Sequence, residues 1–293
     1  MTYENPQVPH DINVSRESVV AEFLRLLAGL AAVLAVVTAI LYFGGGWLAR
    51  LIPFSIERSW VGDAVLGVAI KDSGSAENRK VEAYLTTLVV DLASKMHLPP
   101  DMQLKVHYTE MEVPNAFATL GGHIIVTSGL YERMPSENAL AMVLAHEIGH
   151  VRARDPIAAL GGTASVAVVY ALLSGEAGGL MQPVGNVVVR GYSRQAESRA
   201  DAAAIEALKA YYGHAGGAAA VFQMFQAESE KADLPMPSFL STHPADQDRI
   251  ARLKAAAGDW DPDRQPLRPI AVVSGASTVR LSNPFVILLT EQS

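Results

Sequence analysis

The sequence predicts an α+β fold, mostly helical with a small antiparallel sheet, preceded by a transmembrane helix. Three observations carry that reading. Residues 26–49 hold no charge at all, apolar residues recur at helical spacing through most of the remainder, and two short strand-like runs stand on either side of Gly121-Gly122. The composition agrees, with 50% hydrophobic and 18% charged residues against about 25% charged in an ordinary soluble domain. At 293 residues the chain can bury a core without staples. A net charge of -7 and the lack of any basic run disfavour nucleic-acid binding, which relies on phosphate neutralisation. With no cysteine, disulfides, thiolate nucleophiles and sulfur-ligated metals are excluded.

A polar N-terminal tail, 1–25, leads into the apolar segment 26–49, LLAGLAAVLAVVTAILYFGGGWLA, which is long enough to cross a bilayer. A cleaved signal peptide is the rival, but its apolar region should be about 7 to 15 residues long. Here the preceding residues include Glu4, Asp11, Glu17 and Glu22, and Tyr42, Phe43 and Trp47 sit where interfacial anchors belong. The expectation is an uncleaved single-pass anchor in a cell membrane, in contact with lipid. Its orientation is undecided, since Arg16 and Arg25 on one side balance Arg50 and Arg58 on the other.

The folded unit should span 54–258. Val81, Tyr84, Leu85, Leu88, Val89 and Leu92 mark an amphipathic helix over Ala76 to Met96, ended by Leu98-Pro99-Pro100-Asp101. Gln103 to Tyr108 alternates and His123 to Thr127 is β-branched, which predicts an antiparallel pair turned at Gly121-Gly122. Ser136 is placed to cap a helix running from Glu137 to about Arg154. From Ile157 to Leu173 thirteen of seventeen residues are Ala, Val, Ile, Leu or Tyr, and Ala177 to Val189 is again uncharged. Two readings of this insert, 156–189, stand open: a buried helical hairpin, or a hairpin dipping into the membrane beside the anchor. Further helices fit Ser193 to Tyr212, stopping near Gly213, and Ala218 to Glu230. A last helix has Pro244 at its first position and His243 at its N-cap. The tail, 259–293, is Pro-punctuated and is expected to add a strand or two.

The helix from Glu137 contains His146-Glu147-Ile148-Gly149-His150, an HExxH string. Chance places roughly 0.01 such strings in a chain of this length and composition. Histidines four apart share a helix face, so both imidazoles reach one metal ion. Glu147 interrupts an apolar stripe of Val143, Leu144 and Val151. A buried carboxylate with no partner is costly, whereas a general base profits from the raised pKa that burial brings. A catalytic zinc site needs a third protein ligand. The metzincin pattern is excluded, because its third His and its Gly would fall on Pro156 and Ala153. The candidate is Glu197, four residues before Asp201 on a later helix. Glu197 would be the ligand, with Asp201 accepting the free N–H of a ligand histidine. The alternative is a surface acidic pair neutralised by Arg194 and Arg199.

HExxH, the downstream ExxxD and the later His243-Pro244 together resemble the HtpX-like and CAAX-prenyl-protease-like family of membrane-associated gluzincin metallopeptidases. The resemblance extends to Pro114-Asn115-Ala116-Phe117-Ala118, to the run from Gly121 to Leu130 and to Tyr192-Ser193-Arg194, and covers roughly Ala76 to Ala257. It implies a zincin-type domain that holds one Zn2+ through His146, His150 and Glu197, with Glu147 as catalytic base and Asp201 in support. It implies that Asn115, Ala116 and Phe117 form a sheet edge able to hold an extended polypeptide substrate, and that His243 stabilises an oxyanion. As a residue on its own, His243 is equally a helix cap. The chain departs from multi-span relatives in having one certain span, so prenyl-protein processing is not carried over. The function implied is a zinc endopeptidase acting on unfolded or membrane-proximal proteins in quality control. The rival is a membrane-anchored binding or chaperone-like module with a structural or latent zinc site.

Overall fold

The computed structural model describes residues 18–61, 75–174, 192–232, 238–244, 246–258 and 260–271. The chain enters through α1 (Val19–Ala49), most of whose large apolar residues from Val19 to Leu48 are exposed. Among the described residues α1 is the one helix long and apolar enough to cross a membrane. A short connector helix follows, α2 (Phe54–Trp60), and then α3 (Ala76–Lys95), which buries Val81, Leu85, Leu88, Val89 and Leu92 as their spacing predicts. Ser75 caps α3 by accepting the Asn78 N–H at 3.0 Å.

The sheet differs from expectation. Three strands, β1 (Lys105–Thr109), β2 (Ala116–Ala118) and β3 (His123–Thr127), pair in the order β1-β3-β2. The β1–β3 pair is parallel and only β2–β3 is antiparallel, so the sheet is mixed. The reason is β2, which inserts between the two predicted strands and is too short for its alternation to register. Gly121 (φ 70°) and Gly122 (φ 80°) therefore reverse the chain between β2 and β3, in backbone conformations that suit glycine. A single turn, α4 (Ser128–Tyr131), leads out of β3.

Helix α5 (Glu137–Arg152) begins at the predicted cap, Ser136, and is buried from Asn138 to Val151. It runs through the middle of the unit, between α3, the sheet and α7 (Arg194–Tyr212). Its Leu140 and Leu144 join Leu85, Leu92, Ile124, Phe222 and Phe239 in one continuous core. Helix α7 starts at Ser193 and stops at Gly213, whose φ of 82° ends it in the left-handed turn. Beyond lie α8 (Ala220–Ala232), α9 (Ser238–Thr242) and α10 (Gln247–Ala256). The cap of α10 is Asp246, whose carboxylate accepts the Arg249 N–H at 2.7 Å, and not His243. His243 instead donates its backbone N–H to Phe239 and so closes α9. Residues 260–271 contain no strand, and the remainder of the tail lies outside the described residues.

The first half of the uncharged insert is one helix, α6 (Asp155–Ser174). It lies antiparallel to the end of α1, since Ala158 meets Gly46, Gly161 meets Gly45 and Gly162 meets Tyr42. A side chain at Gly46 would stand 2.8 Å from the Ala158 carbonyl oxygen, so the small residues are what allow the two backbones to approach. The second half of the insert, Ala177 to Val189, lies outside the described residues.

Candidate active site

The α5–α7 crossing builds the site. A Cβ at Gly149 would stand 3.1 Å from the Ala200 Cα, so the glycine lets α7 seat close against α5. That approach carries Glu197, one turn before Ala200, over the two histidines. His146 Nε2 and His150 Nε2 are 3.1 Å apart, and the Glu197 carboxylate oxygens lie 3.3 Å from each. His243, brought by α9, places Nδ1 3.2 Å from His146 Nε2 and 3.2 Å from Glu197 Oε1. All four residues are buried.

The chemistry of these donors fits a metal ion. The Nδ1 of His146 donates to Asp201 at 2.9 Å and that of His150 to Asp155 at 3.0 Å. In the neutral tautomers so fixed, both Nε2 atoms carry lone pairs and face each other and a carboxylate. Only a proton or a cation reconciles them. Ligand atoms about 3.3 Å apart are what a tetrahedral centre with bonds of about 2.0 to 2.1 Å requires. Without a cation, burial works against a charged His150, yet hydrogen bonds to Asp155 and Glu197 raise it to about 9. Burial likewise favours a protonated Glu197, but the hydrogen bonds of His146, His150 and His243 hold its carboxyl far below the ordinary range.

Glu147 is fully buried beside this group. Its Oε2 accepts the backbone N–H of Ala118 at 2.7 Å, and its Oε1 lies 3.3 Å from His243 Nε2. Burial raises its pKa, and the neighbouring imidazoles and the Ala118 N–H offset only part of the rise. The contact with Ala118 brings the sheet edge to the site. Asn115 O accepts the Thr127 N–H and Thr119 N–H donates to His123 O, so by antiparallel alternation Ala116 and Ala118 turn their backbone groups away from β3. Asn115 and Phe117 are half-buried beside them, and Asn115 Oδ1 accepts no hydrogen bond among the described residues.

The residues singled out from spacing, His146, Glu147, His150, Glu197 and Asp201, therefore meet at one place, and those implied by the resemblance join them: His243, with Asn115, Ala116 and Phe117 on the adjoining strand segment. The surface acidic pair is not what the structure contains, since Glu197 and Asp201 are both buried. The cation beside them is Arg249 of α10, which grips Asp201 through two bonds of 2.8 and 2.7 Å and lies 3.0 Å from Glu197. Its guanidinium stacks 4.3 Å from the Phe222 ring centroid. Sequence reasoning missed Arg249, and it missed Asp155, whose one signal is an acidic residue five positions after His150. It also missed Tyr192 as a neighbour, its ring stacked 4.0 Å from that of His150.

Comparison with known proteins agrees with this geometry. Peptidase family M48 matches residues 79–257, well over half of the chain. The chain belongs to that family. Its metallopeptidases depend on a metal, and the group formed by His146, His150, Glu197 and His243 is able to bind one. The chain is 30% identical over 162 residues to "Protease HtpX" of Legionella pneumophila, covering 53% of this chain and 52% of the relative. It is 26% identical over 171 residues to "Mitochondrial metalloendopeptidase OMA1" of Schizosaccharomyces pombe, covering 56% and 49%. It is 31% identical over 171 residues to "Putative beta-barrel assembly-enhancing protease" of Vibrio cholerae, covering 50% and 33%. The chain thus spans between a third and about half of the length of these relatives.

Proposed function

We propose that this protein is a membrane-anchored zinc endopeptidase that cleaves unfolded or membrane-proximal polypeptides in protein quality control. The observation that carries the reading is the convergence of His146, His150 and Glu197 on one point, with the buried carboxylate of Glu147 between that point and the outer edge of β2. His146, His150 and Glu197 would hold the zinc, and the catalytic unit would span 54–258. A bound zinc supplies Lewis acidity toward water and the scissile carbonyl. Glu147 takes the proton of the attacking water on Oε1, its Oε2 being held by the Ala118 N–H, and later delivers it to the leaving amine. An extended substrate adds to β2 as a strand, bonding to the outward backbone groups of Ala116, with Asn115 and Phe117 flanking it. His243, 3.3 Å from Glu147, stabilises the oxyanion. Asp201 keeps His146 in the tautomer a metal needs. Helix α1 anchors the unit to the membrane, and α6 accompanies it there.

A second reading draws on His243. Its Nδ1 is as near to His146 and Glu197 as those ligands are to each other, which suits a closed four-ligand shell and a latent or structural zinc site in a binding module.

The deciding experiment is cleavage of unfolded casein by the zinc-loaded full-length protein in detergent, with Glu147→Gln and His243→Ala alongside. Cleavage lost in both variants supports the endopeptidase with His243 at the oxyanion. Zinc binding without cleavage by the wild type, together with cleavage gained by His243→Ala, supports the closed shell. Cleavage retained by Glu147→Gln rejects the assignment of the base.

A further inference from the structure

Both ligand histidines rest on an aspartate, but the two aspartates are held differently. Asp201, behind His146, is gripped by Arg249 from within the folded unit. Asp155, behind His150, offers Oδ2 to the His150 Nδ1 and Oδ1 to two arginines. One is Arg199, two residues after Glu197 on α7, at 3.2 Å. The other is Arg50, the residue that ends α1, at 3.1 Å, and its Nε also reaches the Ala153 carbonyl at 3.4 Å. The Asp155 side chain is only 3% exposed, so its orientation depends on these partners.

The surrounding contacts hold the end of the membrane helix in place. Arg154, in the left-handed conformation at φ 58°, sends its guanidinium to the Ile52 carbonyl at 2.7 Å and to Glu57 at 2.7 Å. Glu57, buried in the connector α2, accepts the Gly121 N–H at 2.9 Å. The turn after α5 and the residues after α1 are therefore fastened to each other, and Arg50 meets Asp155 at their junction.

We propose that Asp155 is a positioning residue for His150 and that Arg50 sets the orientation of Asp155, so that the end of the membrane anchor forms part of the support of the metal centre. The proposal rests on the metallopeptidase reading. It gives the anchor a second role beside attachment: movement or loss of the end of α1 withdraws a cation from Asp155 and loosens the histidine behind which it stands. A carboxylate oriented by charge-assisted bonds fixes both the ring plane and the tautomer of a ligand histidine, and removing such support costs metal affinity although no ligand is touched.

The test is zinc affinity of the full-length protein in detergent, by competition with a chromogenic chelator, together with the visible spectrum of the Co2+-substituted protein. Asp155→Ala should weaken zinc by about 10- to 100-fold and shift the cobalt bands. Arg50→Ala should weaken it less, by about fivefold, with a band shift in the same direction, and Arg50→Lys should recover most of the loss. Arg58→Ala serves as the control, since it breaks the connector's 2.6 Å bond to Gln103 without touching Asp155 and should leave both readouts unchanged. Should Asp155→Ala fail to fold, the Arg50 pair and its lysine rescue carry the test. Affinities within twofold of wild type in the Arg50→Ala protein, or an equal loss in Arg58→Ala, overturn the proposal. A wild-type protein that binds no zinc overturns the metal reading beneath it.

Discussion

Two pairs of buried histidines lie in different company in this molecule. On α5, His146 and His150 have a carboxylate at each Nδ1 and the Glu197 carboxylate between their Nε2 atoms. Across the β1–β3 pair, His107 and His123 have each other. Their rings stack with centroids 5.0 Å apart, and His107 Nε2 shares a hydrogen bond with His123 Nδ1 at 2.7 Å. Both pairs are buried, but the environments move His150 and the strand pair in opposite directions. Against the pull of burial, hydrogen bonds to Asp155 and Glu197 raise His150 to about 9, whereas burial, with the Lys105 charge nearby, lowers His107 and His123 to about 4. Burial beside a lysine thus makes a neutral, self-satisfied pair, and carboxylate backing is what turns a histidine pair toward a cation.

The largest effect that sharpens this contrast should come from Glu197→Ala. If Glu197 is one of three ligands, as proposed, a third of the roughly 10 to 16 kcal/mol of a protein zinc site is at stake, about 3 to 5 kcal/mol, so affinity should fall about 250- to 8,000-fold. Equilibrium dialysis reads the loss, and the same assay on His107→Gln should find zinc binding unchanged. Zinc lost from His107→Gln would break the comparison. Next comes Glu147→Gln, which should lower peptide turnover by about 10²- to 10⁴-fold while keeping one zinc, as steady-state kinetics and metal analysis together measure. Because Glu147 must be ionised to act and its pKa is raised, turnover should fall with decreasing pH from above the ordinary carboxylate range. Smaller again, Asp201→Ala should weaken zinc by about 10- to 100-fold, since His146 loses its acceptor and Arg249 its buried partner.

The last test concerns the other pair and reads stability rather than zinc affinity. In the unfolded chain these imidazoles take up protons near pH 6.5, but in the fold only near 4. Between those values the unfolded state binds more protons, so stability is full above pH 6.5 and declines as pH falls through the window. The slope is at most about 1.4 kcal/mol per pH unit for each ring. Chemical denaturation from pH 7 to 4 measures it, and the double substitution His107→Phe with His123→Phe should flatten it. An unchanged slope would place the acid sensitivity elsewhere.

Most of the helices were legible in the sequence because their signals are local. Ser136 caps α5 where its spacing to the apolar run says, and the faces of α3 and α5 follow from periodicity. His146, Glu147 and His150 belong to one helix, so their common face is dictated by 3.6 residues per turn. Glu197, Asp201 and His243 needed the family resemblance as well, since nothing local connects residues nearly fifty positions apart. The mixed sheet was not legible, because a three-residue strand carries no readable period and strand order is set by long-range pairing. The cap of the last helix was misassigned for a related reason: Pro244 marks a helix start by position, but the preceding α9 takes the His243 N–H and the chain turns on to Asp246 before α10 begins.

By itself, then, the sequence determined the long apolar N-terminal helix, the positions of α3, α5 and α7 and the chemistry-bearing string on α5, all consequences of neighbours within a few residues. Tertiary structure alone decided which groups surround that string: Arg249 on Asp201, Arg50 and Arg199 on Asp155, Ala118 on Glu147, and the pairing of His107 with His123. Each of those contacts joins distant parts of the chain, and none has a period. They exist because a buried charge or donor left without a partner is costly once the core has closed, and the chain uses whatever polar groups the packing brings within reach.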